Sequence, residues 1–206
     1  MKDGFRYLLL TRFALYNAAA LALLIATFLQ GWLDAALQDL TLWLCAIITI
    51  VFIYGLVRAG FAAWGLSLDL NAVRAGKPRP NSIPASYLLA ERKEDDALSA
   101  ELLRVRLIDA VSPVRHIADT LVLLGLVGTV VGFILALSGI EANTAMHVDK
   151  IGAIVATLIS GIGVALYTTL LGAVFHLWLG FNYRLLVSAT VRLYGGTIEL
   201  GQQHVA

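Results

Sequence analysis

The chain is poor in charge and almost without sulfur. Only 14% of its 206 residues are Asp, Glu, Lys or Arg, against about a quarter in an ordinary globular domain. With 59% hydrophobic residues and a mean hydropathy of +0.82, that scarcity argues against a soluble fold. The one cysteine, Cys45, lies inside an apolar run. It allows neither an internal disulfide nor a thiolate cluster, and reads as a small core or lipid-facing residue. His116, His147, His176 and His204 are scattered at no ligand spacing, and no carboxylate pair sits at mid-depth. No metal, cofactor or enzymatic centre is therefore expected. The basic residues are spread along apolar flanks instead of one face, so nucleic acid is not an expected partner.

The order of the few charges is the strongest signal. Fourteen of the fifteen Lys and Arg residues fall in three stretches, Lys2 to Arg12, Arg58 to Arg115 and Arg184 to Arg192. The exception, Lys150, sits in an acidic loop beside Glu141 and Asp149, and the loop around Asp34 and Asp39 has no basic residue. Short cytoplasmic loops collect Lys and Arg, so both termini and the middle segment are expected inside and the two acidic loops outside. The expectation is an all-α inner-membrane protein with four transmembrane helices. No small-residue cleavage motif closes the first apolar run at Phe28-Leu29-Gln30, so that helix is expected to be retained.

The pattern predicts a first span over 13–30 and a second over 40–54, the latter continuing past Arg58. Both are Leu-, Ala-, Ile- and Phe-rich walls, with Trp32 and Trp43 as interfacial anchors. Residues 1–70 thus form a cytoplasmic segment with two peripheral helices, and residues 71–112 a cytoplasmic linker. In the linker, Pro78, Pro80 and Pro84, with Gly76 and Asn81, are expected to break any helix. After the charged run Glu91 to Asp96, capped by Asp95 or Asp96, Leu98, Leu102, Val105 and Ile108 predict an amphipathic helix. Residues 113–206 hold the last two spans, over 114–140 and 150–186, with Pro113 in the first turn of the third. Both are longer than a bilayer core requires, so their inner ends are expected to extend into the cytoplasm.

These last two helices differ from the first two in carrying small and hydroxyl side chains. Gly125, Gly128, Gly132, Ala136 and Gly139 recur at three- and four-residue intervals; Gly161, Ala165 and Thr169 make one ridge and Gly152, Ala156 and Ser160 another. Such ridges let helix backbones approach closely in lipid. Thr157, Ser160, Gly161, Val164 and Thr168 share one face at about 100° per residue. Thr129 lies roughly 21 Å along the helix from Arg115, and Ser160 roughly 15 Å from Lys150, which places both near the midplane. A hydroxyl in a helix also bonds its own carbonyl three or four residues back, which is the competing role for each. No Asp, Glu, Lys or Arg lies at mid-membrane. Asp119 is only about 6 Å from Arg115, and His176 roughly 39 Å from Lys150. Proton-moving proteins usually place a titratable group in the membrane. If this chain moves protons, another polypeptide must supply the carboxylate.

The segments LVLLGLVGTVVGF, Leu121 to Phe133, and ATLISGIGVALYTTLLG, Ala156 to Gly172, resemble those of the MotA/TolQ/ExbB proton channel family. The first matches its Gly-x-x-Gly-Thr-x-x-Gly pattern at Gly125, Gly128, Thr129 and Gly132. In the second, Ser160 and Gly163 fit a hydroxyl three positions before a glycine, with Thr157 as the rival in a shifted register. The resemblance implies a homo-oligomeric, typically pentameric, ring whose third and fourth helices surround a pore. A single-span MotB/TolR/ExbD-like partner would bring the membrane Asp. Thr129, Ser160, Thr157 and Thr168 are the expected proton-path hydroxyls, and Gly125, Gly128, Gly132, Gly161, Gly163 and Ala165 the expected packing positions. Val155 stands where ExbB-like members have glutamate, and Thr169 near their later proline. Four spans look like MotA, whereas the short cytoplasmic segment favours a TolQ/ExbB-like energiser or a less familiar four-span motor subunit. A non-conducting scaffold that packs a partner helix is the alternative.

Overall fold

A computed structural model describes residues 8–29, 39–91, 96–138 and 151–205. Every regular element is helical: α1 (Leu8–Leu29), α2 (Asp39–Arg74), α3 (Ile83–Glu91), α4 (Asp96–Asp109), α5 (Ser112–Ser138) and α6 (Ile151–Val205). Among the described residues four helical stretches are long and apolar enough to cross a membrane: Leu9–Ala26 in α1, Trp43–Arg74 in α2, Ser99–Ser138 across α4 and α5, and Ile151–Gln202 in α6. A helix satisfies its backbone polar groups internally, which makes it the natural spanning element for so apolar a chain. The expected outer loops, with Trp32, Asp34, Glu141, His147, Asp149 and Lys150, lie outside the described residues, as do Asp95 and Gly139.

The linker holds more helix than its prolines suggest. Helix α2 ends where Gly76 takes φ 68°, with Gly76 N–H bonded to Val73 O and Lys77 N–H to Ala72 O, both at 3.0 Å. That is the 5→2 and 6→1 pair of a glycine C-terminal cap. Pro84 does not break a helix; it opens α3. Ser82 Oγ accepts from Ala85 N–H at 3.3 Å, and Pro84 sits in the first turn, where its missing N–H costs nothing. The apolar face expected on α4 is also rotated. Ser99, Leu103 and Leu107 are buried, whereas Leu102, Val105 and Ile108 are exposed.

The described chain divides into two compact units built from discontinuous segments. The first comprises 1–20, 55–116 and 179–206. Its core includes Ala59, Ala63, Leu103, Leu107, Val111, Val114, Leu186 and Leu193. Within it Asn17 and Asn182, 165 residues apart, exchange side-chain hydrogen bonds of 2.8 and 3.2 Å. Asn17 also donates to Phe13 O at 2.8 Å. This amide pair ties α1 to α6 by a contact no apolar pattern announces, since a buried amide must find a partner.

The second unit comprises 21–54 and 117–178. Phe52 of α2 stacks on Phe175 of α6, with ring centroids 4.0 Å apart, and meets Trp178 edge-on at 5.1 Å. Helices α5 and α6 form its antiparallel core.

Candidate functional site: the α5–α6 hairpin

The hairpin is held by small residues in a fixed order. Along α5, Gly125 faces Thr168, Thr169 and Gly172; Gly128 faces Thr168; Gly132 faces Gly161 and Ala165; Ala136 faces Gly161. A Cβ on Gly132 would come within 2.6 Å of Ala165 N and 2.7 Å of Gly161 O, and one on Gly172 within 2.7 Å of Leu121 O. The backbones are therefore in direct contact, which only glycine permits at these positions. Thr169 adds a bond across the pair, Oγ1 donating to Gly125 O at 3.2 Å.

Of the positions expected to pack, Gly125, Gly128, Gly132, Gly161 and Ala165 do so within this hairpin. Gly163 does not: a Cβ there meets nothing within 4 Å. The reason is helical phase, since two residues carry it about 200° around α6 from Gly161.

The hydroxyls separate in the same way. Thr168 is fully buried against Gly128, its Oγ1 bonded to Val164 O at 2.9 Å and Ala165 O at 3.1 Å. It packs the hairpin, with no side-chain surface exposed in the chain. Thr129 is half-buried and donates to Leu126 O at 2.6 Å; Thr157, also half-buried, donates to Ala153 O at 3.0 Å. Ser160 is exposed, and its hydroxyl has no hydrogen bond among the described residues. The face that seemed a polar lining, Gly161 with Val164 and Thr168, is the face α6 turns to α5.

Thr129 and Ser160 are not brought together. Gly161 lies beside Ala136, so Ser160 stands about 10 Å along the axis from Thr129. Nine residues from Thr169, it is also about 180° around α6 from that bridge. Counting rise from charged flanks places the two near one depth only if Arg115 and Lys150 mark opposite edges of a core about 30 Å thick. The hydroxyls level with Thr129 are Thr168 and Thr169.

One pairing escaped the sequence. His176 Nδ1 lies 2.8 Å from Ala118 O, placed to donate to it, and 4.0 Å from Asp119 Oδ1. These are the deepest charged or imidazole side chains at that end of the two helices, and they meet. Their separation of 57 positions carries no periodic signal; only the hairpin register pairs them. Among the described residues, no group of three or more His, Cys, Asp or Glu is placed to hold a metal ion.

Between Asp119 and Ser138, and between Ile151 and His176, there is no Asp, Glu, Lys or Arg. A glycine-packed helix pair whose apolar stretches carry hydroxyls but no acid, among four membrane-capable helical stretches, fits a multi-pass membrane protein. A family model, MotA/TolQ/ExbB proton channel family, matches residues 90–194, and the chain belongs to that family. Searches of curated proteins and of solved structures return no match.

Proposed function

We propose that the chain is the inner-membrane channel and stator subunit of a proton-driven motor. Five copies surround a single-span MotB/TolR/ExbD-like partner whose membrane Asp carries the proton. Both termini and residues 71–112 face the cytoplasm, α1 and α2 stand outside, and α5 and α6 line the ring. The carrying observation is the apolar, glycine-packed hairpin that offers hydroxyls and lacks its own acid.

The chemistry follows from the hydroxyl geometry. With its hydrogen on Leu126 O, Thr129 Oγ1 turns lone pairs outward and accepts from a protonated carboxyl. Rotation of the same hydroxyl lets it donate to the carboxylate after the proton leaves. Ser160 and Thr157 stand nearer the outer end, where their hydroxyls solvate an entering proton. Asp119 and His176 stand at the inner end, where an acid and an imidazole receive it. Each charge crossing releases roughly 2.3 kcal/mol per 100 mV, enough to drive one ring against the other.

Cross-linking tests the seating of the partner. In a Cys45→Ser background, Thr129→Cys is expected to form a disulfide with a cysteine placed beside the partner's membrane acid. Thr168→Cys, buried in the hairpin, is expected to form none. Equal linkage at both positions, or linkage at neither in an assembled complex, contradicts this arrangement.

A further inference from the structure

Two opposite charges stand at nearly one height on different helices of the first unit. Asp109 closes α4, and Arg184 lies on α6 with its Cζ 6.0 Å from the Phe181 ring centroid. Both are exposed, and neither has an ion-pair partner among the described residues. Arg104, by contrast, is already held by Glu101 at 3.7 Å. Each of the two points away from its own core. Asp109 stands about 160° around α4 from buried Leu107, and Arg184 about 160° around α6 from buried Leu186.

Each also belongs to an exposed stripe with steps of three and four residues: Leu102, Val105 and Asp109 on α4; Phe181, Arg184, Ser188 and Val191 on α6. That spacing is the seam along which helices pair. The heights follow from two contacts. Arg58, Phe61 and Ala62 of α2 share a groove with Ala110, Pro113 and Val114, and a Cβ on Gly196 of α6 would lie 3.4 Å from Val73 Cγ1 of α2. The alternating topology makes α2 parallel to α6 and antiparallel to α4. Counting rise along α2 between these contacts then brings Asp109 and Arg184 within about one helical turn, roughly 5 Å.

We propose that the two stripes are the halves of one interface between neighbouring copies of this chain. The α4 helix of one copy packs along α6 of the next, and Asp109 of the first pairs with Arg184 of the second. Rotation about the membrane normal keeps every residue at its own height, so a ring joins two different faces only where complementary groups stand level. Asp109 and Arg184 meet that condition, whereas either residue against its own copy repels. Residues 102–109 lie inward of Arg115 and Arg184 opens the last basic stretch, so no acyl chain covers Leu102, Val105 or Val191. A protein surface does. The interface rests on the ring proposed above but not on proton flux.

Charge reversal tests it, read as the oligomer mass of the purified full-length protein by native mass spectrometry over a dilution series. Asp109→Arg alone and Arg184→Asp alone are each expected to raise the concentration at which rings half-dissociate by about tenfold or more. Asp109→Arg combined with Arg184→Asp is expected to restore the wild-type midpoint. Circular dichroism establishes that each variant is folded. Cysteine pairing decides the matter if a reversal is not: in a Cys45→Ser background, Asp109→Cys with Arg184→Cys is expected to give a disulfide-linked ladder of copies, and neither cysteine alone any. Rings indifferent to both reversals, a double variant no better than the single ones, or disulfide dimers from one cysteine alone overturn this interface and leave the ring standing. A wild type that stays monomeric at every concentration overturns the ring itself.

Discussion

Gly161→Leu is expected to disrupt the hairpin, whereas Gly163→Ala is expected to be tolerated. A Cβ at Gly161 meets the backbone N and Cα of Ala136, which no side-chain rotation moves aside, so the helices must part. Even Gly161→Ala is expected to cost about 1–3 kcal/mol, as overpacking does elsewhere, and leucine more. At Gly163 nothing lies within 4 Å, so the change should stay within about 0.5 kcal/mol. Thermal unfolding in detergent checks the difference. Equal loss at the two positions would mean that α6 meets α5 through another face.

Thr129→Val is expected to lower proton flux about ten- to hundredfold while the complex still assembles. The substitution keeps the shape and removes the oxygen. A buried carboxyl left without its hydrogen-bond partner costs about 1–3 kcal/mol, and each 1.4 kcal/mol on the barrier is tenfold in rate. Thr168→Val removes a hydroxyl bonded only to its own helix, so flux should change little. A comparable loss in both variants would mean that packing, not solvation of the proton, explains the effect.

Much of this arrangement was legible in the residues, and the failures have physical causes. The glycine ridge of α5 and its packing on α6 were legible, because close backbone approach is a property of composition and spacing. The phase of α6 was not legible. Small residues occur on several of its faces, and only the contact with α5 separates Gly161, which packs, from Gly163, which does not. Thr168 looked like a lining hydroxyl for the same reason. Its bond to Val164 O makes it cheap to bury, and no spacing rule distinguishes that from exposure to a path. Pro84 opens a helix because Ser82 caps the first turn, a context that the identity of proline does not announce. Long-range pairs such as Asn17 with Asn182 and Asp119 with His176 depend on tertiary register, which one sequence does not encode periodically.

Proton conduction here requires a conduit completed by a second chain. Its most direct test is proton uptake by liposomes holding this chain with its single-span partner, compared with liposomes holding either alone, under an imposed membrane potential. The complex should conduct, this chain alone should not, and replacing the partner's membrane acid by Asn should abolish conduction. Conduction by this chain alone, or none through a correctly assembled complex, would contradict it; the second result would identify a packing scaffold.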